Sequence, residues 1–292
     1  MIDITDGNYK QRSGSGSTFR IHVDLTCNDF LSYYEESRVA AEKIWSNKQG
    51  EVYVMYSGGV DSEYVINVFL SCGMKVTPVI VTLSPGYNDH DTKYAFEFCE
   101  SKNIKPVVVD IDFMAFIESG TLNDIVEQIR APVYHTAATC YAIGKLSGTV
   151  LLGFGEPDLS FVVPRRWNIK FFEYDYTLQT FFEQQRICGT PFFNCYTKEM
   201  MCAFLANGNV TSQIMLDNPI ARHSNEGIKQ RVYGEQRAFV MQPRPKFNGY
   251  EHVPKHEELE RIVAKNAKRM GVYTVDYMDF VHKHGVFGGV DI

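Results

Sequence analysis

The sequence predicts an α/β protein, in which helices cover both faces of an open, mostly parallel five-stranded sheet and a mainly helical C-terminal region follows. Two observations support this fold class. Apolar segments of strand length alternate with segments of helical periodicity between residues 52 and 152, a pattern typical of βαβ units. Two glycine-rich segments directly follow predicted strands, at the sheet edge where such folds bind ligands.

The predicted elements follow one another in a regular order. Residues 7–17 are rich in glycine and serine and are expected to form a flexible lead-in. A strand is predicted over 18–25, and a helix capped by Asn28 or Asp29 is predicted to run to about Trp45. The alternation then predicts strands over 52–56, 76–83, 106–111 and 149–152, separated by helices over 60–71, 89–102, 112–130 and 133–147.

The alternation of predicted strands and helices ends after residue 160, where aromatic residues become frequent and most of the pattern is helical. A charged amphipathic helix is predicted over 257–270. We therefore divide the chain into a lead-in over 1–17, an α/β domain over 18–160 and a helical region over 161–292. The helical region is expected to pack on the sheet and to supply one wall of the site.

The amino-acid composition restricts the possible binding partners of the protein and its cellular compartment. The 29 Lys and Arg residues against 35 Asp and Glu residues give a net charge of −6, which disfavours a protein that coats nucleic acid but leaves a local RNA groove open. No apolar run is long enough to cross a bilayer, and the first residues do not have the pattern of a secretory signal. The seven cysteines lack a Cys-x-x-Cys pair and are typical of a reducing compartment. We expect a cytoplasmic protein without a membrane partner.

The strongest local signal is a turn between a strand and a helix. Gly58 and Gly59 let the backbone approach a ligand closely, and the helix that follows offers free N–H groups and a positive dipole end. Such a turn predicts a pocket for a polyanion such as pyrophosphate. A carboxylate in that pocket indicates an accompanying Mg²⁺ ion. The segment reads Ser57, Gly58, Gly59, Val60, Asp61 and Ser62.

This segment lacks the lysine and spacing of the P-loop nucleotide hydrolases and is not a Gly-x-Gly-x-x-Gly dinucleotide loop. It resembles the Ser-Gly-Gly-x-Asp-Ser signature of the N-type PP-loop ATP pyrophosphatases, in the adenine nucleotide α-hydrolase-like superfamily. Asparagine-synthetase-like and 7-cyano-7-deazaguanine-synthase-like members are the most similar in character. The resemblance covers about residues 50–160.

The resemblance implies that ATP and Mg²⁺ are the cofactors and that ATP is cleaved between its α and β phosphates. AMP is transferred to a carbonyl or carboxylate oxygen of a small-molecule acceptor, pyrophosphate leaves, and ammonia or an amine displaces AMP. Residue 2 is Ile, so an N-terminal cysteine of a glutaminase half is not expected. The nitrogen donor is then free ammonia, an amine or a separate ammonia-supplying protein.

The resemblance also assigns roles to weaker positions. The end of the second strand of the sheet, Val81, Thr82 and Leu83, would contact adenine through its backbone, although a plain buried strand explains its pattern equally well. The turn after residues 149–152 would hold the nucleotide, with Glu156 or Asp158 as a metal ligand because Pro157 stands where the first acidic residue is expected. Together with Ser57–Ser62, the nucleotide-binding candidates are Thr82, Leu83, Gly153, Phe154 and Gly155. The catalytic candidates are Asp61, Arg165 and Lys246, and a solvated surface charge is the alternative for the last two.

Other interpretations stay open. Sulfur transfer, as in tRNA thiolation or phosphoadenylylsulfate-reductase-like enzymes, is weakened by the missing Cys-x-x-Cys pair and by the absence of any cysteine after Cys202. A non-catalytic nucleotide-binding module is weakened by the complete signature. The polar loop over 88–91 is interpreted as a capping turn in preference to a lid or metal contact, and the eight histidines show no recognised metal spacing.

Overall fold

The fold is given by a computed structural model. It describes residues 5–6, 9–15, 18–27, 29–155, 158–163, 166–172, 175–210, 226–234, 239, 250–267 and 272–276. The strands are, in chain order, β1 Lys10–Ser15, β2 Thr18–Val23, β3 Glu51–Met55, β4 Thr77–Ser84, β5 Val107–Asp112, β6 Gly148–Leu151, β7 Asp158–Val163, β8 Arg166–Phe172, β9 Cys188–Thr190 and β10 Val272–Asp276.

Helices alternate with these strands in the first two thirds of the chain and dominate afterwards. The α-helices are α1 Tyr33–Ser46, α2 Val60–Ser71, α3 Asp89–Ser101, α4 Phe113–Glu118, α5 Thr121–Ile129, α6 His135–Ile143, α7 Asp175–Gln185, α8 Lys198–Leu205, α9 Glu226–Gly234 and α10 His256–Ala267. A 3₁₀ turn spans Phe193–Cys195. In the part of the chain that the structure describes, none of the helices is long and apolar enough to cross a membrane.

The central sheet has five parallel strands in the order β5-β4-β3-β6-β9. Each crossover from β3 to β6 contains at least one helix, as a parallel connection requires. The predicted fold class is therefore confirmed. From β3 the chain first moves outward through β4 to β5 and then returns to the opposite side with β6. In open α/β sheets, ligands bind where the strand order reverses in this way, so the fold itself points to the gap between the ends of β3 and β6.

The middle strands are largely buried. Val52 and Val54 of β3 and Val79 and Ile80 of β4 are at most 1% exposed. Parallel strands that are covered on both faces are apolar at nearly every position, and the run of valines and isoleucines satisfies that requirement. The sheet core therefore forms a firm base for the turns that leave its carboxyl edge.

The N-terminal part differs from the prediction. β1 pairs with β2 in an antiparallel hairpin, so Lys10–Ser15 form a strand within the lead-in predicted over 7–17. The first helix also starts later than predicted, at Tyr33. Its cap is Ser32, which forms a capping box with Glu35 in which each side chain bonds to the other residue's backbone N–H. This reciprocal pair satisfies two N–H groups, which a lone Asn28 or Asp29 cannot do.

The C-terminal region is helical, as predicted, and it also contains strands. β9 completes the central sheet by pairing with β6, and β10, β8 and β7 form a separate antiparallel sheet in that order. The boundary that the sequence analysis set at residue 160 falls within β7. The three-residue β9 is too short to show a period of two, which is why sequence patterns did not reveal it.

The pairing of β9 with β6 depends on Gly189, and this dependence can be tested. Gly189 has φ +116°, and a Cβ atom there would lie 2.0 Å from the carbonyl oxygen of Val150. Gly189→Ala should therefore lower the free energy of unfolding by at least about 2 kcal/mol, through backbone strain and crowding. The matched control is Gly73→Ala, because Gly73 has φ +70° but no atom within 4 Å of such a Cβ; its cost should be about 1 kcal/mol. Equal losses in urea unfolding would contradict the close approach of β9 to β6.

Candidate functional site

A cavity of about 410 Å³ opens at the carboxyl edge of the central sheet, between the ends of β3 and β6. Its lining includes Ser57 and the first turn of α2 on one side, and Leu152, Gly153 and Phe154 after β6 on another. The remaining walls come from β4, α3, α6, α9 and the segment around Tyr250. The cavity therefore lies where the reversed strand order places ligands, and the turn singled out from the sequence forms part of it.

The turn after β3 is shaped for an anion. Gly58 has φ +81°, and a Cβ atom at this position would lie 3.0 Å from the backbone of Asp91 and of Ala95 in α3. Gly59 is the N-cap of α2 and makes no side-chain capping bond. First-turn N–H groups of a helix have no intrahelical partner, and the helix dipole makes this end positive. Since Val60, Asp61 and Ser62 line the cavity, these groups lie beside the space that a phosphate would fill.

The turn after β6 lies against the first turn of α2. A Cβ atom at Gly153 would lie 2.8 Å from the carbonyl carbon of Asp61 and 2.9 Å from the backbone nitrogen of Ser62. Only glycine permits this approach of one backbone to another. Gly153 and the half-exposed Phe154 line the cavity. Gly155 does not, because it packs on Cys195 and Phe192 instead.

The Asp61 carboxylate has two partners from α9. Its Oδ1 accepts a hydrogen bond of 2.8 Å from the hydroxyl of Tyr233, and its Oδ2 pairs with the Lys229 ammonium at 3.2 Å. The Lys229 side chain is only 14% exposed, so this pair is poorly screened by solvent. Lys229 also lines the cavity, which places a positive charge beside the α2 turn.

Sequence reasoning missed both Lys229 and Tyr233. They lie four residues apart in α9, on one face of the helix, but about 170 residues beyond Asp61 and in no motif. A stack of tyrosine rings fixes this face against α2. The Tyr233 ring lies 4.2 Å from that of Tyr64, and both lie near the Tyr33 ring in α1. Each such ring pair contributes about 0.5–1.5 kcal/mol beyond its buried area, so the position of Lys229 is determined by packing.

The end of β4 meets the prediction only in part. The Asn88 side chain donates to the carbonyl of Val81 at 2.9 Å and accepts from the N–H of Leu83 at 2.8 Å. Leu83 is fully buried, and the hydroxyl of Thr82 donates to Asp110. Of the three predicted residues, Val81 lines the cavity together with Val79, whereas Thr82 and Leu83 are not among its lining residues.

A histidine and the segment around Tyr250 form another part of the cavity wall. His135 begins α6 and lines the cavity, and the Tyr250 ring lies 5.3 Å from its imidazole. Burial lowers the pKa of His135 to about 4, and the negative charge of Glu251 opposes this shift. The imidazole is therefore neutral near pH 7. The Tyr134 hydroxyl is hydrogen-bonded to Nδ1 of His256 at 2.8 Å and ties the start of α10 to α6.

Several candidates lie outside the residues that the structure describes. These are Arg165, Lys246 and Glu156; Asp158 begins β7, but its side chain is likewise outside the description. Their assignments stay predictions. Among the described candidates, the cavity brings together Ser57, Gly59, Val60, Asp61, Ser62, Gly153 and Phe154.

No protein-family model and no curated protein matches the chain. Among solved structures it is similar to the crystal structure of a "predicted subunit of tRNA methyltransferase" from Methanocaldococcus jannaschii, at 18% identity over 52% of this chain and 72% of that one. The TM-score is 0.31, too low to support an argument about function. The parallel sheet is compatible with an adenine nucleotide α-hydrolase-like fold.

The lowered pKa of His135 predicts a pH dependence of stability. The unfolded chain binds this proton below about pH 6.5, whereas the folded protein binds it only near pH 4. Between these values the unfolded state takes up more protons, so the free energy of unfolding should fall as the pH decreases. His135→Gln should show a smaller fall between pH 7 and pH 4.5 in urea unfolding. An unchanged pH slope in this variant would contradict the buried, neutral imidazole.

Proposed function

We propose that the chain binds ATP with Mg²⁺ in this cavity and cleaves it between the α and β phosphates. AMP would pass to a carbonyl or carboxylate oxygen of a small molecule, pyrophosphate would leave, and ammonia or an amine would then displace AMP. One observation carries the proposal. The complete Ser-Gly-Gly-x-Asp-Ser segment lies at the reversal of strand order, with the N-terminal turn of α2 beside the cavity.

The phosphate end of the cavity offers the charges that such a reaction needs. Negative charge grows on the leaving pyrophosphate as the bond to the α-phosphorus breaks. The N–H groups of the α2 first turn and the ammonium of Lys229 are fixed donors beside that space. Donors that are already oriented stabilise developing charge without a cost of reorganisation. We therefore assign the α2 turn and Lys229 to the phosphates.

Asp61 fits a magnesium ligand in donor type and place. Mg²⁺ prefers carboxylate and phosphate oxygens, and the Asp61 side chain is 30% exposed and lines the cavity. Both of its oxygens already contact α9, so coordination by Asp61 would transfer Lys229 from the carboxylate to a phosphate oxygen. The ion would neutralise phosphate charge there. Glu156 and Asp158 stay candidates for further ligands.

The part of the lining formed by α6 and the segment around Tyr250 would receive the acceptor. Thr139, His135 and Tyr250 line the cavity there and combine apolar surface with a hydroxyl and a neutral imidazole. A small molecule with a carbonyl or carboxylate group suits such a mixed lining. The net charge of −6 argues against a nucleic-acid acceptor, and the seven free cysteines favour a reducing compartment such as the cytoplasm.

The cysteines also bear on the choice of nucleophile. All seven lie within the described residues, and none lines the cavity. A sulfur-transfer enzyme that carries sulfur on its own thiol would need a cysteine at the site. The arrangement therefore favours ammonia or an amine, from solution or from a separate protein.

The first test of this function follows the products from ATP. With Mg²⁺ and an acceptor, the chain should release AMP and pyrophosphate. Asp61→Asn should lower this rate by about 100-fold or more, because the charge that positions the cation and Lys229 is lost, and this loss of activity should far exceed the loss of folding stability. Release of ADP and phosphate would reject the proposal. Parallel losses of activity and melting temperature would assign Asp61 a structural role.

The second test concerns Lys229. Lys229→Met keeps most of the aliphatic length and removes the charge, and it should lower the rate of pyrophosphate release by about 10²- to 10³-fold. The matched control is Lys265→Met, because Lys265 is an exposed lysine of α10 that pairs with Glu127; its rate should equal that of the wild type. If both variants retain full activity, Lys229 does not act on the phosphates.

A further inference from the structure

A second group of side chains lies at the rim of the cavity. His90, Asp91 and Glu251 each offer one ligand atom, and these atoms all lie within 4.8 Å of one another. An imidazole nitrogen of His90 is 3.2 Å from a carboxylate oxygen of Glu251. Asp91 is only 2% exposed and also lines the cavity, whereas the other two side chains are partly exposed.

Two well-fixed segments hold these side chains. His90 and Asp91 lie in the first turn of α3, which the Asn88 side chain bonds to the backbone of β4. Glu251 follows Tyr250, whose carbonyl accepts from the Tyr134 hydroxyl at 3.3 Å. Because the folded backbone already positions both segments, only small shifts of the three side chains would bring the ligand atoms around one ion. Such preorganisation is what a metal site requires.

The donor types of the group suit a metal ion. One imidazole nitrogen and two carboxylate oxygens are ligands that divalent transition metals accept, and one ion can bind all three side chains. Mg²⁺ and Ca²⁺ prefer oxygen ligands alone. A set of one imidazole and two carboxylates suits the borderline ions from Mn²⁺ to Zn²⁺.

We infer that His90, Asp91 and Glu251 bind one divalent transition-metal ion, represented by Zn²⁺, which ties residues 250–256 to α3 at the rim of the cavity. Three protein ligands leave at least one position for water or a substrate group. The side chains of the two segments already meet there, so the ion replaces the direct contact between His90 and Glu251. This site does not depend on nucleotide chemistry.

The binding test uses the full chain after treatment with a chelator and dialysis. Isothermal titration with Zn²⁺ should give one equivalent bound. His90→Asn and Glu251→Gln should each weaken binding by about 100-fold or more, since loss of an outer contact alone costs about 10- to 100-fold. Glu257→Gln, which changes an exposed glutamate of α10 outside the group, should bind as the wild type does. Both test variants alter partly exposed side chains, so either can report if the other fails to fold.

Hydrogen exchange tests the tie between the two segments. Saturation with Zn²⁺ should slow exchange of the amides in 250–256 in the wild type and not in Glu251→Gln. Absence of a one-equivalent site, or affinity unchanged in both test variants, would overturn the assignment of the ligands. Binding of Zn²⁺ without slower exchange would contradict the proposal that the ion links residues 250–256 to α3. Because no ATP is present in either experiment, the result is independent of the proposed reaction.

Discussion

The close contact between two backbone turns determines the geometry of the site. Gly153, after β6, lies against the first turn of α2 so closely that no side chain fits between them. The strand order makes β3 and β6 neighbours, and the missing Cβ lets the turns that leave them meet. The helix end, the Asp61 carboxylate and the cavity opening take their positions from this contact.

Segments that are distant in sequence supply the remaining walls of the cavity. α9 brings Lys229 and Tyr233 to Asp61, and the stacked tyrosine rings hold the helix in place. The chain around Tyr250 closes the other side through Tyr134 and His135. The α/β domain therefore supplies the anion-binding turn, while the C-terminal region supplies a cation beside the phosphate space and a wall for the second reactant. Neither part alone encloses the cavity.

The sequence was sufficient for features that local patterns encode. The parallel sheet and the Ser57–Ser62 turn follow from strand–helix alternation and from adjacent glycines at a strand end, and both are found where expected. Contacts made by tertiary packing were not accessible. Lys229 has no motif around it, and the group formed by His90, Asp91 and Glu251 joins residues 160 positions apart. The interpretation of residues 88–91 as a capping turn places the start of α3 correctly after Asn88, but the Asn88 side chain makes no capping bond to the helix and bonds to β4 instead.

Thr82 and Leu83 show a different limit of prediction from sequence. The position of β4 was predicted, and Val81 of the three predicted residues lines the cavity, together with Val79. No strand pattern contains the effect of the Asn88 side chain, which is bonded to the carbonyl of Val81 and to the N–H of Leu83.

This use of Asn88 has a consequence for molecular selectivity. A flat heterocycle resting on β4 would meet two valine side chains, while the polar backbone edge beside them is already engaged within the protein. At this strand, one ring system would then be distinguished from another by its shape and thickness. Hydrogen bonds to its ring nitrogens or exocyclic groups would have to come from residues in the other walls of the cavity.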